Sequence, residues 1–155
     1  MKESKTEAQT VHHKVPKVYV GMVCDLLHEG HLNIISTAYE LVHPDGQVIV
    51  GLLTDEAVKS YKRTPIMNWE SRFKIVSALS KVSQVIPQTT LDYTNNLRKI
   101  QPEYVVHGDD WKHGPQKHAR QKVISTLSEW DGELIEPTYT HGISTTELIE
   151  RIRNL

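Results

Sequence analysis

Apolar and polar positions follow two rhythms along this chain, and the rhythm switches repeatedly. Val18-Tyr19-Val20-Gly21-Met22-Val23 is a short, nearly continuous apolar run, as expected of a strand buried on both faces. After Cys24 to Gly30, the segment His31–Leu41 places Leu32, Ile35, Ala38 and Tyr39 on one helical face. Pro44-Asp45-Gly46 signals a turn, Gln47–Leu53 a second buried strand and Asp55–Ser60 a short helix. Asn68 can cap a helix running to about Leu79, with Phe73, Val76 and Leu79 inward. Further strands are predicted over Val82–Pro87, Tyr104–His107 and Glu133–Glu136, and further helices over Tyr93–Ile100, Gln116–Trp130 and Thr145–Arg153. This alternation implies an α/β fold, a Rossmann-like three-layer α/β/α arrangement around a parallel five-stranded sheet. Such sheets bind ligands beyond the carboxyl ends of their strands. Asp25, His28, His31, Thr54, Asp55, His107, Asp109 and Asp110 all follow predicted strands, so the polar chemistry gathers at one rim.

Residues 1–16 carry no such periodicity and are rich in Lys, Glu, Thr and Gln; a flexible leader is expected there, ahead of one domain over residues 17–155. His12 and His13 lie in it, a pair that suits solvent or a metal ion. Formal net charge is -1, so no global basic field draws the chain to nucleic acid. The apolar runs are too short to cross a bilayer and the leader lacks the apolar core of a secretion signal, which predicts a soluble, cytoplasmic protein. The single cysteine, Cys24, excludes an intramolecular disulfide and fits a reducing compartment.

Histidine is the compositional departure, at 9 residues. Two of them stand in Asp25-Leu26-Leu27-His28-Glu29-Gly30-His31, between a buried strand and a helix. A helix start offers unpaired N–H groups and a positive dipole end, a seat for phosphate to which histidines add donors. Gly30 would let backbone approach a ligand without a Cβ in the way. Zinc would need more ligands than Asp25 beside the pair, and both rings could simply cap and pack. Ser144 and Glu147 in Gly142-Ile143-Ser144-Thr145-Thr146-Glu147 form an S-x-x-E box that starts the last helix, either as plain capping or as a second phosphate seat. Lys62-Arg63, with Arg72 in the following helix, can neutralise a departing pyrophosphate or remain a solvated basic loop. His107-Gly108-Asp109-Asp110-Trp111 offers carboxylates for ribose hydroxyls, a cytosine amine or Mg2+, or is an ordinary loop with a packed tryptophan. Lys117 and Arg120 share a helical face that can take an anionic group. Walker A and G-x-G-x-x-G strings do not occur.

Taken in order, DLLHEGH (Asp25–His31), TDE (Thr54–Glu56), WESR (Trp69–Arg72), GDDW (Gly108–Trp111) and GISTT (Gly142–Thr146) resemble the cytidylyltransferases over Lys17–Leu155. The resemblance implies that His28 and His31 contact the triphosphate of CTP and stabilise the transition state, that Lys62 is the catalytic lysine and that Arg72 binds phosphates. It implies a nucleotide site built from Val23, Cys24, Asp25, Gly30, His107, Asp109, Trp111, Gly142, Ile143, Ser144 and Thr145, with Mg2+ entering alongside CTP. A homodimer is common in the family. Two departures bear on the acceptor: Met22-Val23-Cys24-Asp25 stands where the family has Gly-Thr-Phe-Asp, and Tyr139-Thr140-His141 replaces an Arg-Thr-Glu of the glycerol-phosphate enzymes. Val20-Gly21-Met22, the H-G-D-D-W-K string and Gln116–Gln121 look like the phosphonate cytidylyltransferases, implying an acceptor such as 2-aminoethylphosphonate or 2-hydroxyethylphosphonate, held by Lys117, Arg120 and Tyr139. A phosphoalcohol acceptor such as glycerol 3-phosphate, an adenylyltransferase of the same fold, a nucleotide sensor and a metal-binding protein are the competing readings.

Overall fold

The continuous apolar runs become the interior strands of one sheet. The computed structural model describes residues 13–155. In it β1 (Lys17–Met22), β2 (Gln47–Leu53), β3 (Gln84–Gln88), β4 (Tyr104–Val106) and β5 (Glu133–Ile135) lie in the order β3-β2-β1-β4-β5, every pair parallel. Register runs from Lys17 opposite Gln47 to Met22 opposite Leu52. Helices α1 (Glu29–Val42), α2 (Asp55–Lys59), α3 (Trp69–Ser77), α4 (Thr94–Ile100), α5 (Lys117–Leu127) and α6 (Thr145–Arg153) complete the fold.

Successive strand residues point to opposite faces, so each run feeds two cores. Val18, Val20, Met22, Val48, Val50 and Leu52 pack with Ile35, Ala38 and Val42 of α1 and Val76 of α3 on one face. On the other, Tyr19, Ile49 and Val105 meet Leu97 of α4, Val123 and Leu127 of α5, and Trp111. That is the three-layer architecture, and burial on both faces is why β1 and β2 read as unbroken apolar stretches. Pro87 is tolerated within β3 because β3 is an edge strand.

The expected boundaries shift by one to three residues. Helix α1 begins at Glu29, two positions before His31, because His28 is its cap. Strand β3 starts at Gln84 because the amide of Val82 closes a turn onto the carbonyl of Leu79. Helix α5 stops at Leu127 and continues as a 3-10 turn, Ser128–Trp130. Residues 1–12 of the expected leader, His12 among them, lie outside the described residues. Its last residues dock onto the sheet: Lys14 Nζ lies 3.0 Å from Glu103 Oε1, and Pro16 carbonyl accepts from the amide of Gln47 at 2.8 Å. Among the described residues no helix is long and apolar enough to cross a membrane.

The order of strands reverses on either side of β1, which opens a crevice between the carboxyl ends of β1 and β4. The chain leaves β1 through a turn in which Cys24 (φ 53) and Leu26 (φ 56) are both left-handed without being glycine. Such residues cost on the order of 1 kcal/mol each and persist only where their surroundings hold them.

Candidate active site

A cavity of about 460 Å3 occupies that crevice. The start of α1 forms its floor. His28 is the N-cap, in extended backbone, and its Nδ1 accepts from the amide of Gly30 at 3.0 Å. His31 Nδ1 in turn accepts from the amide of His28 at 3.1 Å. Histidines thus play both roles of a reciprocal capping box that Ser and Glu usually fill. An Nδ1 that accepts carries no proton, so each neutral ring bears its proton on Nε2. Burial, reinforced by His28 and Lys62, holds His31 down to about 4, and burial also lowers His28. At neutral pH both rings line the cavity as uncharged N–H donors, 4.0 Å apart between centroids. Gly30 lines the cavity, and a Cβ there would also stand 2.7 Å from Cε1 of His28, so the ring packed over its own cap is a second reason for glycine.

The start of α6 faces this floor. Ser144 Oγ accepts from the amide of Glu147 at 3.1 Å, and Ile143, Ser144, Thr145 and Thr146 line the cavity. Thr145 Oγ1 donates to the carbonyl of Asp25 at 2.7 Å, which ties α6 to the turn after β1. A second tie joins Asn33 of α1 to Thr140 Oγ1 at 3.0 Å. Gly142 (φ +83) makes the turn into α6 without touching the cavity.

Asp25 is a holder. Its carboxylate is 2% exposed and accepts from the amides of Ile66 and Met67 at 2.8 and 2.9 Å and from Arg63 Nη1 at 2.9 Å. Burial pushes this carboxyl up, but the two amides and the guanidinium outweigh it and leave it below its ordinary value. The basic loop is therefore anchored, with Lys62 and Arg63 on the cavity wall. The shelter of the cleft, then the positive charge of Arg63, lowers the pKa of the Lys62 ammonium.

Arg72, expected to bind phosphates, does not line the cavity. It is fully buried, and its N–H groups go to the carbonyls of Met67, Val23 and Leu53 and to Asp55 Oδ1, all within 3.0 Å. It ties the ends of β1 and β2 to α3. Cys24 is likewise off the cavity: Sγ packs 3.8 Å from Met22 Sδ, and burial pushes the thiol up to about 12. Val23 does reach the wall.

Past β4 the wall is made by His107, Gly108, Asp110, Gln116 and Tyr139. His107 stacks flat on Trp111, with centroids 3.7 Å apart and planes at 7°. Trp111, 2% exposed, therefore backs the wall and does not itself line it. The His107 Nδ1 lies 2.7 Å from the carbonyl of Gly108, which can only accept, so Nδ1 holds the proton. Burial lowers this pKa too, against the contrary pull of the Gly108 carbonyl, Asp110, Glu136 and the Gln116 side chain, and leaves Nε2 of the neutral ring unprotonated. Asp109 turns away, its Oδ1 accepting from the amide of Tyr139 at 2.9 Å, and its neighbour Asp110 faces the cavity in its place. The acceptor residues expected on α5 are also displaced. Arg120 is paired with Glu136 (Nε–Oε1 2.9 Å, Nη2–Oε1 2.8 Å) and Lys117 is exposed outside the cavity; of the three, Tyr139 alone reaches it.

Cavity residues outside every string include Ile34, Tyr61, Leu91 and Tyr93; Asp110 was read as a rim carboxylate, and Gln116 only as the first residue of the Gln116–Gln121 string. Among the described residues no three His, Cys, Asp or Glu side chains gather as a metal set.

The cytidylyltransferase-like family model matches residues 19–151. The chain is 32% identical over 147 residues to ethanolamine-phosphate cytidylyltransferase of Saccharomyces cerevisiae, covering 92% of this chain and 44% of that protein. It is 36% identical over 94 residues to FAD synthase of Methanopyrus kandleri, covering 61% of this chain and 63% of that protein. It is 30% identical over 133 residues to the bifunctional protein HldE of Haemophilus influenzae, covering 84% of this chain and 26% of that protein. The chain thus spans less than two thirds of each relative's length. Among solved structures, the lipopolysaccharide core biosynthesis protein from Thermoplasma volcanium GSS1 superposes with a TM-score of 0.69 at 19% identity, over 82% of this chain and 99% of that one, which shows the same fold.

Proposed function

The chain belongs to the cytidylyltransferase-like family, and from that premise we propose that it transfers CMP from CTP to a small acceptor bearing a phosphonate, releasing pyrophosphate. One observation carries the reading: two helix starts and two histidine Nε2–H donors converge on a single cavity at the switch point of the sheet.

In the proposed step an acceptor phosphonate oxygen attacks the α-phosphorus of CTP in line, a P–O bond forms, and the bond to the bridging α,β-oxygen breaks with its electrons leaving on pyrophosphate. The nucleophile is already ionised at neutral pH, so positioning and charge stabilisation supply the rate. His28 and His31 donate to α- and β-phosphate oxygens, and the backbone amides at the starts of α1 and α6 add fixed donors. Lys62 and Arg63 offset charge on the leaving group. His107 Nε2, an acceptor, meets the exocyclic amine of cytosine. Asp110 is the carboxylate on the wall, and one carboxylate with phosphate oxygens is how Mg2+ is commonly held. Mg2+ bound there would add charge neutralisation.

The phosphonate reading rests on the Val20-Gly21-Met22, H-G-D-D-W-K and Gln116–Gln121 strings. The ethanolamine-phosphate relatives favour a phosphoalcohol in its place, and the FAD synthase relative favours ATP as the donor. A homodimer in the cytoplasm belongs to the same proposal. Pyrophosphate release measured with CTP and ATP against matched phosphonates and phosphoalcohols tests it: turnover with CTP and a phosphonate is expected. Faster turnover with the matched phosphoalcohol would replace the acceptor class, and turnover confined to ATP would replace the donor.

A further inference from the structure

The cavity has two side walls, and they differ in chemistry. The β4 side is polar, with His107, Asp110 and Gln116. The β2 side is built from Leu53, Leu91 and Tyr61, which pack with Val23 around the buried residues of α2. Between them, at the end of β1, lies Tyr93. It is 4% exposed, yet it lines the cavity. Its ring is fixed edge-on against Tyr19, with centroids 5.7 Å apart, and beside Trp111 at 5.8 Å. Its phenol lies across Gly21, where any Cβ would collide with the ring and the hydroxyl, so the glycine exists to admit the phenol. The hydroxyl is engaged by no group among the described residues; burial, with Tyr19, Tyr61 and Asp110 adding, keeps it far above its ordinary value and therefore neutral. A rigid hydroxyl that faces the cavity without an internal partner is free to pair with a ligand, and loses its solvent contacts when a ligand covers it.

We propose that Tyr93, seated over Gly21, is the acceptor-specificity residue, and that it selects an acceptor whose end remote from the phosphorus is a neutral hydroxyl. This rests on the transferase reading above, which puts the nucleoside on the His107 wall and the phosphates between the helix starts. The acceptor is then left with the end of β1 and the β2 wall. Leu53, Leu91 and Tyr61 offer no carboxylate there; Asp110, the cavity carboxylate near Tyr93, is taken up by Mg2+ in that same reading, and a desolvated ammonium without a carboxylate of its own is costly. A hydroxyl exchanges its water contacts for Tyr93 Oη at no such cost. A methyl would leave Oη unpaired.

The test is kcat/KM, by pyrophosphate release with CTP, for 2-hydroxyethylphosphonate, 2-aminoethylphosphonate and ethylphosphonate, and for the phosphate monoesters of ethylene glycol and ethanolamine. The hydroxyl compound is expected to lead the amine within both linkage series, and to lead ethylphosphonate by about tenfold, the order set by one hydrogen bond and the penalty of leaving it unmade. In Tyr93→Phe the hydroxyethyl-to-ethyl ratio should fall to about one, through KM. Tyr93→Leu, which removes the ring, should instead lower turnover of every acceptor. An unchanged hydroxyethyl-to-ethyl ratio in Tyr93→Phe overturns the proposal. So does a preference for the amine, and its loss in Asp110→Asn would name Asp110 as the ammonium partner. Both results leave the transferase reading standing. Absence of pyrophosphate release with every acceptor, from protein whose titration with CTP shows no binding, sinks that reading and this inference with it.

Discussion

The two helix starts that face each other across the cavity are built on opposite principles. Helix α1 buries Ile35, Ala38 and Val42 in the larger core and is capped by its own histidines, so its donors are fixed by the same packing that forms the domain. Helix α6 buries no residue fully. It is positioned by the Ser144 cap and by two side-chain ties, Thr145 to the carbonyl of Asp25 and Asn33 to Thr140. One phosphate seat is thus part of the fold, and the other is leaned against it. A site of this kind can keep half its charge stabilisation preorganised and gain the other half as the ligand draws the second helix in.

The largest expected effect falls on the fixed side. His31→Ala should lower kcat by ~10²-fold or more, the usual consequence of losing one preorganised donor, with the circular-dichroism spectrum of the fold retained. Near-normal turnover would remove the histidines from the mechanism. On the leaning side, Thr145→Val keeps size and removes the tie to Asp25. We expect about a tenfold loss in kcat/KM from one lost hydrogen bond and a looser α6; a loss equal to that of His31→Ala would erase the distinction between the two seats.

Acid should also separate them. His31 titrates near 4 when folded and near its ordinary 6.5 when unfolded, so between those values the unfolded chain binds the extra proton. The contribution of the α1 cap is full above 6.5 and is lost as pH falls toward 4. Protonating Nδ1 also breaks its contact with the amide of His28. Denaturant unfolding between pH 7 and 4 should show this loss, and His31→Gln should flatten it. The smallest effect, and the most direct, is amide hydrogen exchange: Leu148 to Ile152 should exchange faster than Ile35 to Val42, and CTP should narrow the gap by slowing α6. Equal protection in the free protein would mean that α6 is as firmly seated as α1.

Much of this was legible in the chain itself, because β1, β2, α1 and α6 are each specified by local periodicity and caps. The D-L-L-H-E-G-H and G-I-S-T-T strings mark the two helix starts because their capping groups lie within one or two turns of backbone. What local pattern misplaced was decided by distant partners. Arg72 closes the W-E-S-R string and looks like a phosphate ligand, but its fate is set by carbonyls at the ends of β1 and β2. Lys117 and Arg120 do share a helical face, yet Glu136, past the end of β5, claims Arg120. Trp111 and His107 are close in sequence, and only their stacking reveals which of them meets the cavity. Tyr93 carries no motif at all, since its importance depends on a glycine in β1.

Asp25 joins both jaws of the cavity through different atoms, the basic loop through its carboxylate and α6 through its carbonyl. It does so from a turn whose two flanking residues are held in left-handed backbone. This makes the residue a tensioned pin: force applied by a ligand to either jaw reaches the other through a single peptide unit, without rearranging the hydrophobic interior. Cutting one jaw loose slackens the pin for both, so damage to the Lys62 loop and damage to the last helix should be felt as one injury.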